Sequence, residues 1–118
     1  MSLKIYHNPR CSKSRNTLEI IRNAGLEPKI VRYLDEAPSA AEILDLAGKL
    51  GGSVADLLRR GESEFKNAPD LPDLDDDAAL AAWVAAHPKV LERPIVVDTA
   101  SGKAVMGRPP ENVHQLLS

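Results

Sequence analysis

The sequence predicts an α/β protein with a small mixed sheet of about four strands flanked by helices. Residues 3–6 and 29–34 read as strands on either side of a helical segment, and such a crossover makes two strands parallel. Residues 94–97 form a continuous apolar run, as expected for a buried strand. Turn-forming residues at 98–102 then allow residues 103–106 to return as an antiparallel partner.

The first two helices have clear boundaries. Helical periodicity begins after Cys11, places Leu18 and Ile21 on one face, and ends where Gly25 occupies the position of a C′ glycine. The segment Ser39–Glu42 has a capping-box pattern and opens a second helix, which stops at the glycine pair at residues 51–52.

The remaining elements are shorter. Residues 53–60 predict a brief helix that ends in two arginines, and residues 61–75 predict an acidic loop with little pattern. A further helix starts near residues 75–77, whose carboxylates suit a helix N-terminus, and Pro88 ends it. A terminal helix is expected to run through Val113, Leu116 and Leu117, with Pro109 or Pro110 in its first turn. This order of elements matches a thioredoxin-like fold, in one domain covering residues 1–118.

Composition and charge limit the classes of function. Residues 1–33 contain seven Lys and Arg against two Asp and Glu, whereas the whole chain has a net charge of −2. A nucleic-acid-binding domain is usually basic overall, so a local site for a small anion fits better and no nucleic-acid partner is expected. The sequence has no signal peptide and no apolar run long enough to span a membrane, so we expect a cytoplasmic protein without a membrane partner.

Cys11 is the only cysteine, which excludes an internal disulfide and a multi-cysteine metal site. It lies at a predicted helix N-terminus, where unpaired N–H groups and nearby Arg10 and Lys13 favour the thiolate, the nucleophilic form. His7 precedes the same loop. The alternative, a small buried hydrophobe, fits poorly because Cys11 lies outside any apolar stripe. The sequence therefore predicts a reactive thiolate that acts on an anion.

Four segments of the chain resemble the glutaredoxin-linked arsenate reductase family, the ArsC-like proteins of the thioredoxin-like fold. The resemblance lies in the segment from Tyr6 to Leu18, in residues 92–97 and 107–111, and in residues 53–60, which look like a short helix ending in Leu-Leu-Arg. Order and spacing are retained over nearly the whole chain.

The resemblance implies that Cys11 attacks arsenate while Arg59, Arg93 and Arg108 hold the oxyanion. Arginine is the side chain suited to bidentate binding of such an anion. For Arg59 and its neighbour Arg60, a solvated basic pair at a helix end is the alternative, and sequence does not decide whether Arg60 shares the role. Arg108 has the alternative of simply marking a turn.

Further roles follow from the same resemblance. His7 matches a histidine that favours the thiolate, and Ser14 matches the serine three residues after the cysteine. Ser14 and Arg15 lie three and four residues after Cys11 on the helix, so both are expected to reach the sulfur, with Arg15 binding substrate. The Arg93–Pro94 bond is expected to be cis.

The absence of a second cysteine assigns the next thiol to another molecule. The implied activity is arsenate reduction to arsenite, in arsenic detoxification, with glutathione as cosubstrate and glutaredoxin as partner; no metal or tightly bound cofactor is expected. Two alternatives remain open. One is a general glutathione-dependent thiol-disulfide reductase, and the other is a Spx-like, non-enzymatic transcription regulator that binds RNA polymerase.

Overall fold

The computed structural model describes residues 1–117. Its strands are β1 (Leu3–His7), β2 (Lys29–Arg32), β3 (Ile95–Asp98) and β4 (Ala104–Met106). Its α-helices are α1 (Ser12–Asn23), α2 (Ala40–Lys49), α3 (Ser63–Lys66), α4 (Asp77–Ala86) and α5 (His114–Leu117), and 3₁₀ helices cover Val54–Leu57, Pro88–Val90 and Pro110–Val113.

The chain divides into two compact units. The sheet unit comprises residues 1–36 and the described residues from Arg93 onward, and the helical unit comprises Ala37–Glu92. The expectation of a single domain stays a prediction.

The sheet unit contains a four-stranded mixed sheet in the order β2-β1-β3-β4. Strands β1 and β2 are parallel, while β3 is antiparallel to both β1 and β4, which confirms the predicted α/β class and mixed sheet. Strand β2 ends at Arg32, two residues earlier than expected. The backbone N–H groups of Asp35 and Glu36 both donate to the Arg32 carbonyl, at 2.9 and 2.8 Å, and so turn the chain there.

Aliphatic side chains form the core of the sheet unit. Strand, helix and C-terminal residues all contribute to it: Leu3, Ile5, Leu18, Ile21, Val96, Val105, Val113 and Leu116. The predicted apolar face of α1 is therefore buried against the sheet. Gly25, with φ of +83°, ends α1 in the left-handed conformation that glycine adopts without steric cost.

The helical unit is organised by the packing of α2 against α4. Helix α2 begins where the Oγ atom of Ser39 accepts a hydrogen bond from the N–H of Glu42 at 3.1 Å, as the capping pattern predicts. Leu46 and Val84 are among the side chains buried in this unit.

Residues 53–60 do not form the predicted helix through Arg59 and Arg60. The helical conformation is a single 3₁₀ turn that ends at Leu57, and Leu58 is extended. Leu58 forms a β-bridge with Leu91, and the N–H of Arg59 donates to the Val90 carbonyl at 2.7 Å. These hydrogen bonds between two distant segments of the chain satisfy backbone groups that a continued helix would have paired internally.

The acidic segment 61–75 is more ordered than predicted, since it contains α3. Its packing depends on Trp83 of α4, because the ring of Phe65 meets the indole edge-on at 6.5 Å between centroids. The indole Nε1 also donates to Asp70 Oδ1 at 3.2 Å. No α-helix of the described residues is long and apolar enough to cross a membrane.

Gly107, directly after β4, lies at a place where there is no room for a side chain. Its N–H donates to the Pro94 carbonyl at 2.9 Å. A Cβ atom built on Gly107 would lie 2.6 Å from Thr17 Oγ1 and 2.7 Å from Pro94 Cγ. Neither neighbour moves easily, because the Thr17 hydroxyl donates to the Lys13 carbonyl at 2.8 Å and the proline ring is rigid.

We predict that Gly107→Ala lowers the free energy of unfolding by about 1–3 kcal/mol, the usual cost of overpacking a closely packed site. Urea denaturation followed by circular dichroism measures the change. Gly48→Ala is the matched control, because Gly48 lies on α2 with nothing within 4 Å of a built Cβ. That control is expected to stabilise by about 0.5–1 kcal/mol. A Gly107→Ala protein as stable as the wild type would contradict the packing argument.

Candidate active site

Cys11 occupies the N-cap position of α1, as the sequence predicts for the start of this helix. Its backbone is extended (φ −91°, ψ 121°), and its carbonyl accepts the N–H of Arg15 at 3.0 Å. Its own N–H donates to the Asn8 carbonyl at 3.0 Å, which closes the turn between β1 and α1. The thiol is partly exposed, so a small reactant can reach it.

The environment of Cys11 favours the thiolate. Burial acts against this and would raise the pKa of the thiol. The backbone N–H groups of Ser14 and Lys13, together with the side chain and charge of Arg93, outweigh burial, so the pKa of Cys11 lies below its ordinary value. The helix N-terminus and one arginine thus stabilise the same negative charge.

His7 and Ser14 hold the turn between β1 and α1 by hydrogen bonds. The buried Oγ of Ser14 lies 2.6 Å from His7 Nδ1 and accepts the N–H of Asn8 at 3.1 Å. Ser14 Oγ and His7 Nδ1 share one hydrogen, and the imidazole tautomer decides which of the two atoms donates it. Burial first, and then the charges of Arg32, Arg22 and Arg15, lower the pKa of His7, which favours the neutral ring.

The structure shows which group His7 contacts. A neutral imidazole supplies no positive charge to the thiolate. Its contact is with the side chain of Ser14, whose backbone N–H is among the groups that lower the pKa of Cys11. Ser14 therefore faces the sulfur with its backbone N–H. Its hydroxyl was expected to reach the sulfur but points to His7 instead. The catalytic roles of both residues stay predictions.

Arg15 does not turn toward the sulfur. Its guanidinium is exposed, and Nη1 donates to the Pro9 carbonyl at 2.9 Å, so it closes the turn from outside. Arg15 was expected to reach the sulfur, but its side chain contacts the Pro9 carbonyl instead. Substrate binding by Arg15 stays a prediction.

Arg93 and Arg108 lie together at one edge of the sheet. Arg108 Nη1 donates to the Arg93 carbonyl at 3.3 Å. Both arginines precede a cis-proline, at Arg93–Pro94 as predicted and also at Arg108–Pro109. Asn112 secures the second loop, because its amide donates to the carbonyls of Met106 and Arg108 at 3.1 and 3.2 Å. Sequence reasoning missed Asn112, since an asparagine on a short helical turn has no signature of its own.

Arg59 belongs to the helical unit, where two carboxylates hold it. Its Nη1 lies 3.4 Å from Glu92 Oε1 and its Nε lies 3.9 Å from Glu62 Oε2, with the arginine side chain 30% exposed. Its neighbour Arg60 is exposed. Arg59 therefore has two carboxylate partners, and the alternative of a solvated basic pair at residues 59 and 60 stays a prediction.

These contacts define what the site in the sheet unit can do. A partly exposed thiolate lies beside a guanidinium, and a second arginine contacts the backbone of the first. The thiolate can attack an electrophilic centre while the guanidinium neutralises an anionic substrate. Among the described residues, no group of three or more His, Cys, Asp or Glu side chains could hold a metal ion.

The chain is similar in sequence and in structure to known arsenate reductases. The sequence model of the ArsC family matches residues 6–116. An arsenate reductase of Neisseria meningitidis serogroup A is 45% identical, with 98% of this chain and 97% of the relative covered. An uncharacterised Escherichia coli protein, YfgD, is 47% identical, with 98% and 96% covered. The solved structure of an arsenate reductase from Vibrio cholerae is 46% identical and superposes with a TM-score of 0.86, covering 98% and 97% of the two chains.

We predict that Arg93→Gln raises the pKa of the Cys11 thiol, because it removes both the hydrogen bond and the positive charge that Arg93 supplies. The rate of alkylation by iodoacetamide, measured against pH, reports the thiolate fraction. The curve of the variant is expected to move to higher pH. Lys29→Gln, an exposed cation on β2, is the control and should leave the curve in place. An unchanged Arg93→Gln curve would show that Arg93 does not stabilise the thiolate.

Proposed function

This chain belongs to the ArsC family, and from that premise we propose that it is an arsenate reductase whose nucleophile is the Cys11 thiolate. The observation that carries the proposal is the contact of Cys11 with Arg93, which couples a thiol of lowered pKa to an anion-binding side chain. A cysteine placed only for packing would have no use for such a partner. The nearby Arg108 supplies a second cation at the same edge.

The arginines suit the substrate by charge and shape. Arsenate is a tetrahedral oxyanion, and a planar guanidinium can donate two parallel N–H groups to two of its oxygens. We propose that Arg93 and Arg108 bind arsenate, which brings its arsenic to the sulfur. The role of Arg59 as a third arginine is carried by the family resemblance. Within the helical unit, its carboxylate partners fix its orientation.

In the first proposed step, the Cys11 thiolate attacks arsenic. A sulfur–arsenic bond forms, an arsenic–oxygen bond breaks, and the departing oxygen takes up protons and leaves as water. Arsenic remains pentavalent. The charge of the arginines offsets the repulsion between a thiolate and an anionic substrate, which would otherwise oppose the attack.

In the second step, an external thiolate attacks the Cys11 sulfur. A disulfide bond forms, and the electron pair of the sulfur–arsenic bond leaves with arsenic, which becomes trivalent arsenite. The two sulfur atoms together lose the two electrons that arsenic gains. The chain holds one cysteine, so the second thiol comes from another molecule. We propose glutathione for this thiol.

In the third step, a glutaredoxin thiolate attacks the glutathione sulfur of the mixed disulfide and releases the Cys11 thiolate. The three proposed reaction steps use no metal and no tightly bound cofactor. They require a reduced thiol pool, which is characteristic of the cytoplasm, and we propose that location for the protein.

The test is an assay of arsenate-dependent NADPH oxidation with glutathione, glutaredoxin and glutathione reductase. The wild type is expected to turn over, and Cys11→Ser is expected to fall to the rate without enzyme, because a serine hydroxyl is not ionised and cannot form the disulfide. Activity of Cys11→Ser equal to that of the wild type would overturn the proposal. Reduction of small mixed disulfides without any response to arsenate would instead favour a general thiol-disulfide reductase.

The same assay separates Arg59 from Arg60. Arg59→Ala is expected to lower kcat/KM for arsenate about tenfold or more, the usual effect of losing a charged hydrogen-bond donor. Arg60→Ala is the matched control, since Arg60 is exposed, and is expected to stay near the wild type. Equal losses in both variants would contradict the assignment to Arg59.

A further inference from the structure

A cavity of about 310 Å³ opens beside the turn that carries Cys11. One wall is the turn at residues 8–10, the opposite wall is formed by Arg32, Leu34 and Asp35, and His7 lies between them. The walls meet because β1 and β2 are parallel and in register, with His7 opposite Arg32, so the segments after both strands leave the same sheet edge. We call this space the Arg10–Arg32 cavity.

The Arg10–Arg32 cavity is lined by charged side chains that have no ion-pair partner among the described residues. Arg10 and Arg32 are exposed, and neither forms an ion pair with a carboxylate in the part of the chain that the structure describes. Asp35 is the one carboxylate among the residues that line the cavity. The lining therefore offers two cations and one anion to a ligand.

The neighbouring cavity differs in this respect. It measures about 480 Å³ and shares His7 and Pro9, but its arginines are engaged. Arg15 donates to the Pro9 carbonyl, and Arg22 forms an ion pair with Glu27 at 2.7 Å. Of these two cavities, only the Arg10–Arg32 cavity is lined by arginines that have no carboxylate partner within the described residues and no side-chain bond to the turn.

We propose that the Arg10–Arg32 cavity binds the external thiol of the second step, a tripeptide that carries two carboxylates and one ammonium group. This inference rests on the proposed function, in which that thiol is glutathione. The two carboxylates match Arg10 and Arg32, and the ammonium group matches Asp35. The cavity volume lies at the lower end of the range for small-molecule sites.

The position of Arg10 suits the reaction. Arg10 directly precedes Cys11, and its N–H donates to Asn8 Oδ1 at 3.0 Å, which fixes the turn. Consecutive Cα atoms are about 3.8 Å apart and an extended tripeptide spans about 10 Å, so a ligand bound at Arg10 is long enough to extend to the neighbouring residue Cys11. Binding at the carboxylates thus leaves the thiol free to react.

Binding is tested without any chemistry by titrating the ¹⁵N-labelled protein with S-methylglutathione, which cannot form a disulfide. Amide shifts are expected in residues 8–10 and 32–35. Arg10→Gln/Arg32→Gln is expected to weaken binding about tenfold or more, since each charged hydrogen bond accounts for a large factor in affinity. Arg22→Gln is the matched control, because Arg22 lines the neighbouring cavity, and should bind as the wild type does.

A kinetic measurement places the effect on the thiol step. In Arg32→Gln, the ratio of kcat/KM for glutathione to kcat/KM for 2-mercaptoethanol is expected to fall about tenfold, because mercaptoethanol has no carboxylate to lose. Arsenate reduction with glutathione but no shifts in residues 8–10 and 32–35 would overturn the site and leave the proposed function intact. Binding without any arsenate reduction would support the site and overturn the proposed function. Equal shifts with inorganic phosphate, at similar affinity, would show a simple anion site and overturn the proposal.

Discussion

Stabilising a negative charge on a partly buried sulfur is the constraint on which the sheet unit depends. Burial alone would favour the neutral thiol of Cys11, so the surrounding groups must outweigh it. Backbone N–H groups at the start of α1 do so only if the turn before the helix keeps its shape. Ser14 fixes that shape from inside by binding His7 and the N–H of Asn8, and Arg15 fixes it from outside. The neutral imidazole is thus a positioning group, and the positive charge comes from Arg93.

The topology explains why Arg93 reaches the thiol and why Arg108 lies beside Arg93. Strand β1 is antiparallel to β3, so its end at His7 lies at the edge where β3 begins, just after Arg93. Strand β4 returns antiparallel to β3 and ends at the same edge, which delivers Arg108 there. Gly107 allows the returning chain to approach α1 and Pro94 more closely than any side chain would permit. The segments that carry Cys11, Arg93 and Arg108 converge because β3 is antiparallel to both β1 and β4.

Local chemistry made much of this predictable. Cap and stop residues located α1 and α2, and the continuous apolar run located β3. The lone cysteine at a helix start led to the prediction of a nucleophile. The helix expected over residues 53–60 was wrong because Leu58 pairs with Leu91, a contact 33 residues away that no local pattern encodes. The direction of the Ser14 hydroxyl was also missed, since helical spacing gives the face of a side chain but not its hydrogen-bond partner. Asn112 escaped notice because its function is to bind two carbonyls that only the folded loop brings together.

We propose that arsenate, once attached to Cys11, prepares that sulfur for attack by an external thiol. Intact-protein mass spectrometry tests it most directly, with the reduced protein incubated anaerobically with reduced glutathione, in the presence or absence of arsenate and without glutaredoxin. A glutathione adduct is expected to accumulate on Cys11 only when arsenate is present, together with one equivalent of arsenite. An adduct that forms equally without arsenate, or arsenite released with no modification of Cys11, would contradict it.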